Sequence, residues 1–215
     1  MNTPFTNPYK NHRFPAEIIS HGVWLYYRFC LSYRDVEEPL FVRRVIVSYE
    51  AIRKRRRKYG QAYANQLWRR HPRPGDKWHL DEAFLTMNGV HHYLWRAVDW
   101  DGNILDILVQ RRRDKMAAKK FFPKLLKGLS YVPRAIITDK LKSYGAAQRE
   151  ILPSVEHRQH HYLNNRAENS HQPTRQRERR LQGFKSPSHA QRFLSAYGPI
   201  PQYFRPRRHR LSAPA

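Results

Sequence analysis

The stretch Trp78-His79-Leu80-Asp81-Glu82-Ala83-Phe84-Leu85 decides the fold, together with the turns and apolar runs that follow it. Trp78, Leu80, Phe84 and Leu85 mark a strand. Asn88-Gly89 then turns the chain into Val90 to Val98, and Asp101-Gly102 turns it again into Ile104 to Val109. Dipeptides of this kind between apolar runs are tight hairpin connections, so the segment reads as a three-stranded antiparallel meander. Asp114 through Gly128 carries Ala117, Ala118, Phe121, Leu125 and Leu126 at helical spacing, and Arg134 to Thr138 is a short apolar strand that runs straight into Asp139.

Three antiparallel strands, a helix, a fourth strand and then further helices is the order of a ribonuclease-H-like domain, an α/β fold on a mixed sheet. In such a sheet the first and fourth strands are neighbours. Asp81, in the middle of one, and Asp139, at the end of the other, are therefore expected to approach within a few ångströms. Like charges that close demand cations, and an all-oxygen site suits Mg²⁺, with Mn²⁺ able to substitute. Glu168, on a helix beginning near Asn164-Asn165, completes a candidate metal site. His171 and Arg175 follow it by three and seven residues, which places all three on one helical face unless Pro173 breaks it. Arg175 is then a phosphate clamp and His171 a phosphate-orienting group. Asp81 and Glu82 point to opposite sides of a strand, and their adjacency leaves open which of them faces the site. Asp99, Asp101, Asp106 and Asp114 read as turn, surface or capping residues.

Composition frames this chemistry. The 215 residues hold 41 Lys and Arg against 17 Asp and Glu, a formal charge of +24. A charge so far from neutrality implies salt-sensitive attraction to a polyanion. Ile18 to Leu31 is interrupted by Ser20, His21, Gly22 and Arg28, so no run approaches the roughly 20 apolar residues that span a bilayer. The polar, proline-containing segment Met1 to Asn11 is unlike a signal peptide. Cys30 stands alone, which excludes an internal disulfide framework and a cysteine zinc finger, and its neighbours Tyr26, Tyr27, Phe29 and Leu31 predict a buried core position. His157, His160, His161 and His171 lack a cysteine partner, which disfavours zinc. Tyr93 and Trp95 beside Arg96 can stack on a base, but in a central strand such aromatics are core.

Ahead of the meander lies a region of different character. Phe14 to Leu31 fits a helix, Arg34 to Val42 a second one interrupted near Pro39, and Ser48 caps a third from Tyr49 to Tyr59, ended by Gly60. Short helices closing on the run Arg53, Lys54, Arg55, Arg56, Arg57 and Lys58 form the pattern of a helix-turn-helix DNA reader, although Arg43 and Arg44 stand where the turn calls for glycine. His71-Pro72-Arg73-Pro74-Gly75 then reads as a linker. The expected organisation is a helix-turn-helix region and linker over 1–75, a catalytic domain over 76–195 and a basic tail over 196–215.

Several runs carry a closer likeness: Trp78-His79-Leu80-Asp81-Glu82, Tyr93-Leu94-Trp95-Arg96-Ala97-Val98-Asp99, Ile137-Thr138-Asp139-Lys140, Val155-Glu156-His157-Arg158, Asn164-Asn165-Arg166-Ala167-Glu168-Asn169-Ser170-His171 and Gly183-Phe184-Lys185-Ser186. Together they resemble insertion-sequence transposases of family six, which belong to the DDE group and form cointegrates by replicative transposition. The resemblance runs from about Phe14 to at least Phe193 and includes Ser32-Tyr33-Arg34-Asp35-Val36-Glu37-Glu38 and Val47-Ser48-Tyr49-Glu50. It implies that Asp81, Asp139 and Glu168 are the catalytic triad and that Arg175 is the family's basic residue seven positions after the glutamate. It also implies an N-terminal domain that reads terminal inverted repeats, a homo-oligomer joining two element ends to target DNA, and a cytoplasmic, nucleoid-associated location in a prokaryote. The 28 residues between Asp139 and Glu168 are fewer than the family's usual spacing, and the end of the chain lacks an expected further helix. The expected function is thus 3′-end nicking and strand transfer by Mg²⁺-assisted phosphoryl transfer. The alternatives are a shortened copy that binds DNA without cutting it and, from charge alone, a structural RNA-binding protein.

Overall fold

A computed structural model describes residues 12–70, 74–160 and 162–203. Backbone packing divides the chain into two compact units, one up to Tyr63 and one from Ala64 onward. Part of the expected linker, residues 71–73, and most of the basic tail lie outside the described residues.

The first unit is helical: α1 (Ala16–Arg28), α2 (Tyr33–Val42) and the start of α3 (Tyr49–Arg69). Ser32 and Asp35 form a reciprocal capping box, the Ser32 hydroxyl accepting from the Asp35 N–H at 3.1 Å and the Asp35 carboxylate from the Ser32 N–H at 2.9 Å. That fixed first turn, with Val36 and Leu40 buried, carries α2 through Pro39, where the sequence predicts an interruption. Arg44 adopts the left-handed backbone (φ 60) that glycine would favour in the turn before α3. Ser48 does cap α3, accepting from the Ala51 N–H at 3.4 Å. Gly60, by contrast, does not end the helix. A Cβ there would lie 2.9 Å from the Tyr27 hydroxyl, so this glycine serves the close approach of α1 to α3 rather than a terminus. Cys30 is only half-buried and takes φ 54 just past the end of α1, a correction to its expected core position.

The second unit is built on β1 (Lys77–Met87), β2 (Val90–Asp99), β3 (Ile104–Gln110), α4 (Lys115–Leu129), β4 (Ala135–Thr138), α5 (Lys142–Ile151) and β5 (Glu156–Gln159). A short 3₁₀ turn (Tyr162–Asn164) leads into α6 (Asn165–Ser170), α7 (Gln172–Arg180), α8 (Pro187–Tyr197) and α9 (Pro199–Tyr203). The sheet order is β3-β2-β1-β4-β5, with β1, β2 and β3 antiparallel and β4 and β5 parallel to β1. This is the ribonuclease-H-like arrangement. Asn88 and Gly89 both have positive φ, as the tight hairpin requires. Asp114 caps α4, accepting from the Ala117 N–H at 2.8 Å, and Ser130 closes it in the left-handed region, two residues past Gly128.

One face of the sheet carries the main core. Trp78 and Leu80 of β1 and Trp95 and Ala97 of β2 pack against Phe121, Phe122 and Leu125 of α4 and Tyr144 and Ala147 of α5, all essentially inaccessible to solvent. Trp95 is thus a core residue, its ring meeting Tyr144 edge-on at 5.1 Å. The opposite face of β1 and β2 holds the polar residues His79, Asp81 and Arg96, each buried.

Candidate active site

The site arises where β4 stops. Leu80 pairs with Thr138 at the end of the β1–β4 ladder, and the chain then leaves the sheet at Asp139, whose Oδ1 accepts from the Leu141 N–H at 3.0 Å. β1 continues to Met87, so beyond Leu80 no strand among the described residues pairs with it on that side. Asp81 and Glu82 are its next two residues. Strand alternation sends Asp81 to one face, where the His171 Nε2 lies 3.4 Å from its Oδ2, and Glu82 to the other, where its Oε2 accepts from the Tyr144 hydroxyl at 2.8 Å. With no β4 backbone between the faces, the carboxylates can meet. One oxygen each of Asp81, Glu82 and Asp139 lie within 4.8 Å of one another.

Such crowding has an electrostatic signature. Burial, reinforced by the negative charge of Asp139, pushes the Asp81 carboxyl up to about 6. Burial pushes Glu82 up to about 7, against the opposing effects of the Tyr144 hydrogen bond and the Arg113 guanidinium. Arg113 contacts Glu82 Oε1 and reaches Asp139 Oδ2 at 3.5 Å. His171 is driven the other way, well below the ordinary imidazole value, by burial and by the Arg96 and Arg175 charges. It therefore faces Asp81 as a neutral ring rather than as an ion-pair partner.

The helix expected from Asn164 through Arg175 is divided. α6 ends at Ser170, the chain passes through His171, and Pro173 sits in the first turn of α7, where a proline begins a helix without cost. Two buried side chains tie this junction to the sheet. Asn164 donates to the Leu80 carbonyl at 2.9 Å, immediately before Asp81. Arg96, paired across the ladder with Asp81, donates to the Ser170 carbonyl and, at 2.6 Å, to the Thr174 hydroxyl. Glu168 is exposed on α6 and is not one of the three carboxylates within 4.8 Å. Arg175 is exposed on α7, close enough for its charge to act on Asp81. Sequence reasoning did not single out Arg113, Tyr144 or Arg96 as parts of the site. Its one available signal was Arg96, a charged residue set between Trp95 and Ala97 in the apolar centre of β2.

The donor set fits a hard divalent cation: carboxylate oxygens only, with mutual repulsion that a bound ion relieves. No other group of three metal-ligating side chains occurs among the described residues. His157 is engaged elsewhere, its Nε2 3.0 Å from the Thr138 hydroxyl, and His161 lies outside the described residues.

On α3 the basic run divides into two sets. Lys54, Arg57 and Lys58 are exposed, and Arg53 is exposed but paired with Glu50 at 2.6 Å. Arg55 lies over the Phe14 ring at 4.9 Å. Arg56 turns inward, donating to the Tyr33 hydroxyl at 3.0 and 2.7 Å beneath the Tyr26 ring. No helix among the described residues is long and apolar enough to cross a membrane.

Known proteins share this pattern. Residues 75–205 match the family model described as the DDE domain of the IS240 type. The chain is 31% identical over 189 residues to the transposase for insertion sequence-like element IS431mec of Staphylococcus aureus, covering 84% of this chain and 82% of that protein. The same figures hold for the Staphylococcus aureus transposase of IS257 in transposon Tn4003. Among solved structures, the catalytic domain of Mos1 mariner transposase aligns with a TM-score of 0.46 and 14% identity over 67% of this chain and 83% of that one. A family match over more than half of the chain, with relatives this similar along most of their length, means that the chain belongs to the DDE transposases of insertion-sequence family six.

Proposed function

We propose that this transposase nicks the 3′ ends of its element and joins them to target DNA, using Asp81, Asp139 and Glu168 to hold divalent metal, Mg²⁺ by preference. The approach of Asp81 and Asp139 at the end of β4 carries this reading, since two carboxylates from separate segments share one site with a third beside them. Bound divalent ions would acidify the attacking water or 3′-hydroxyl and stabilise the leaving oxygen.

The protein's own residues supply position and charge. Arg175 binds the scissile phosphate. His171, buried rather than facing a phosphate, is kept neutral and so places no positive charge against Asp81. Arg96 and Asn164 fix the segment that carries Glu168 against β1 and β2. On the first unit, Arg53, Lys54, Arg57 and Lys58 of α3 meet DNA phosphates at the terminal repeats, while Arg55 and Arg56 hold the helix in place. Two ends and one target call for a homo-oligomer on DNA.

The test is a strand-transfer assay on end-containing DNA with Mg²⁺ or Mn²⁺, comparing the wild type with Asp139→Ala. Metal-dependent joined product from the wild type alone is expected. A wild type that binds the ends and yields no such product would sink the enzymatic reading in favour of a DNA-binding role.

A further inference from the structure

Glu82 is the third member of the carboxylate group, yet both of its oxygens are already committed. Oε2 accepts from the Tyr144 hydroxyl at 2.8 Å and Oε1 from the Arg113 guanidinium. Its side chain is 2% exposed, while that of Arg113 is 36% exposed. Arg113 ends the run Arg111-Arg112-Arg113 between β3 and the Asp114 cap. Of its neighbours, Arg112 points to solvent with its side chain 83% exposed. Arg113 alone turns into the carboxylates, where it also donates to Asp139 Oδ2 at 3.5 Å. A buried acid is therefore spent on tethering one half-exposed guanidinium beside a carboxylate expected to hold an ion.

We propose that Arg113 is a phosphate-binding residue parked on Asp139, that Glu82 is its positioning residue rather than an ion ligand, and that arrival of the divalent ion turns the guanidinium toward a DNA phosphodiester. The physical reason is competition. Asp139 cannot serve the guanidinium and a dication fully at once, and like charges a few ångströms apart repel. The Glu82 tether keeps Arg113 at the site after Asp139 lets go. Its planar fork of N–H donors then matches the non-bridging oxygens of a phosphate held against the same ion. This inference rests on the reading of Asp81 and Asp139 as ion ligands.

The experiment is Mn²⁺ binding to the full-length, DNA-free protein, followed through the paramagnetic resonance signal of free Mn²⁺. Arg113→Gln removes the competing charge and is expected to bind Mn²⁺ roughly tenfold more tightly than the wild type. Arg113→Lys keeps the charge and should bind within about threefold of the wild type, which separates charge from damage to the fold. The double variant Glu82→Gln/Arg113→Gln removes one charge of each sign beside the site and should bind Mn²⁺ within about threefold of the wild type if Glu82 is not a ligand. In strand transfer, Arg113→Gln should be slower at saturating Mn²⁺, with Arg113→Lys partly restoring the rate. Unchanged or weaker Mn²⁺ binding by Arg113→Gln overturns the parking contact. A double variant that binds about tenfold more weakly than the wild type makes Glu82 a ligand and overturns its assigned role. Asp139→Asn separates the two levels: if it binds Mn²⁺ like the wild type, the ion-site reading itself fails, whereas loss of binding there with no effect of Arg113→Gln defeats this inference alone.

Discussion

Asp81 and Asp139 reach the site from adjacent parallel strands, whereas Glu168 sits on a six-residue helix. The first two are placed by the backbone ladder itself: once β1 pairs with β4 through Leu80 and Thr138, the next residue of each is an aspartate beside the other. Glu168 depends instead on side-chain ties, from Asn164 to the Leu80 carbonyl and from Arg96 to the Ser170 carbonyl and the Thr174 hydroxyl. An isolated helix of that length has no stability of its own. The difference teaches that the proposed ion site would be half preformed by the sheet and half dependent on a polar lock.

Breaking the strand half should have the largest effect. Asp139→Asn is expected to lower strand transfer by about three orders of magnitude, since it removes both a charge and a ligand from the reacting centre. It should also abolish Mn²⁺ binding to the DNA-free protein. Glu168→Gln should lose activity to a similar extent while changing DNA-free Mn²⁺ affinity by less than about threefold, because the preformed carboxylates do not include it. Single-turnover assays paired with Mn²⁺ titration read both quantities. Equal loss of ion affinity in the two variants would erase the distinction between the halves.

The lock should give the next largest effect. Arg96→Met leaves the Ser170 carbonyl and the Thr174 hydroxyl without their charged donor inside the protein, at a cost of about 2–4 kcal/mol of stability. Asn164→Ala removes one buried hydrogen bond, at about 1–2 kcal/mol, and should slow strand transfer roughly tenfold by letting α6 shift. Asn164→Ala, which changes no charge, should not alter the DNA-free affinity for Mn²⁺ by more than about threefold if the sheet alone sets that half. Denaturant melts and the same titration decide this.

The same contrast explains what the sequence made legible. The meander could be read because Asn88-Gly89 must take positive φ, and the proximity of Asp81 to Asp139 followed from one strand pairing. α5 and β5 were not read. β5 is Glu156-His157-Arg158-Gln159, with no apolar residue, and α5 carries Gly145, whose missing Cβ admits the Gln159 side chain at 2.9 Å. Gly60 was misread for a related reason: close packing and helix termination favour the same residue, and only the position of the Tyr27 ring distinguishes them. Glu82 obeys strand alternation and still joins Asp81 and Asp139 because β4 is only four residues long, which no local pattern announces. The contacts of Arg96 lie 74 and 78 residues away in sequence, so no local pattern showed it as a lock.

The smallest predicted effect sharpens the strand half by itself. Asp81 has its folded-state carboxyl raised from the ordinary aspartate range to about 6 by burial and by Asp139. The folded protein therefore binds this proton more tightly than the unfolded chain does. Its contribution to stability is fully present below the unfolded value and is lost as the pH rises through about 6. Roughly 1 kcal/mol of that loss falls between about pH 5 and about pH 7. The buried histidines work in the opposite sense: His79 is lowered to about 4 by burial and by Arg166, and His171 is lowered too, so both favour the folded state as the pH rises. Glu82, pushed up to about 7 by burial, acts in the same sense as Asp81; the raw pH profile mixes all of these terms, and the informative quantity is the difference between the wild type and Asp81→Asn. Without divalent ion, the wild type should lose about 1 kcal/mol relative to that variant on going from about pH 5 to about pH 7, measured by denaturant melts. Saturating Mg²⁺ should cancel the difference, because a cation bound to Asp81 offsets both the burial and the Asp139 repulsion that favour the proton. A difference that persists in Mg²⁺ would mean that the ion does not bind Asp81.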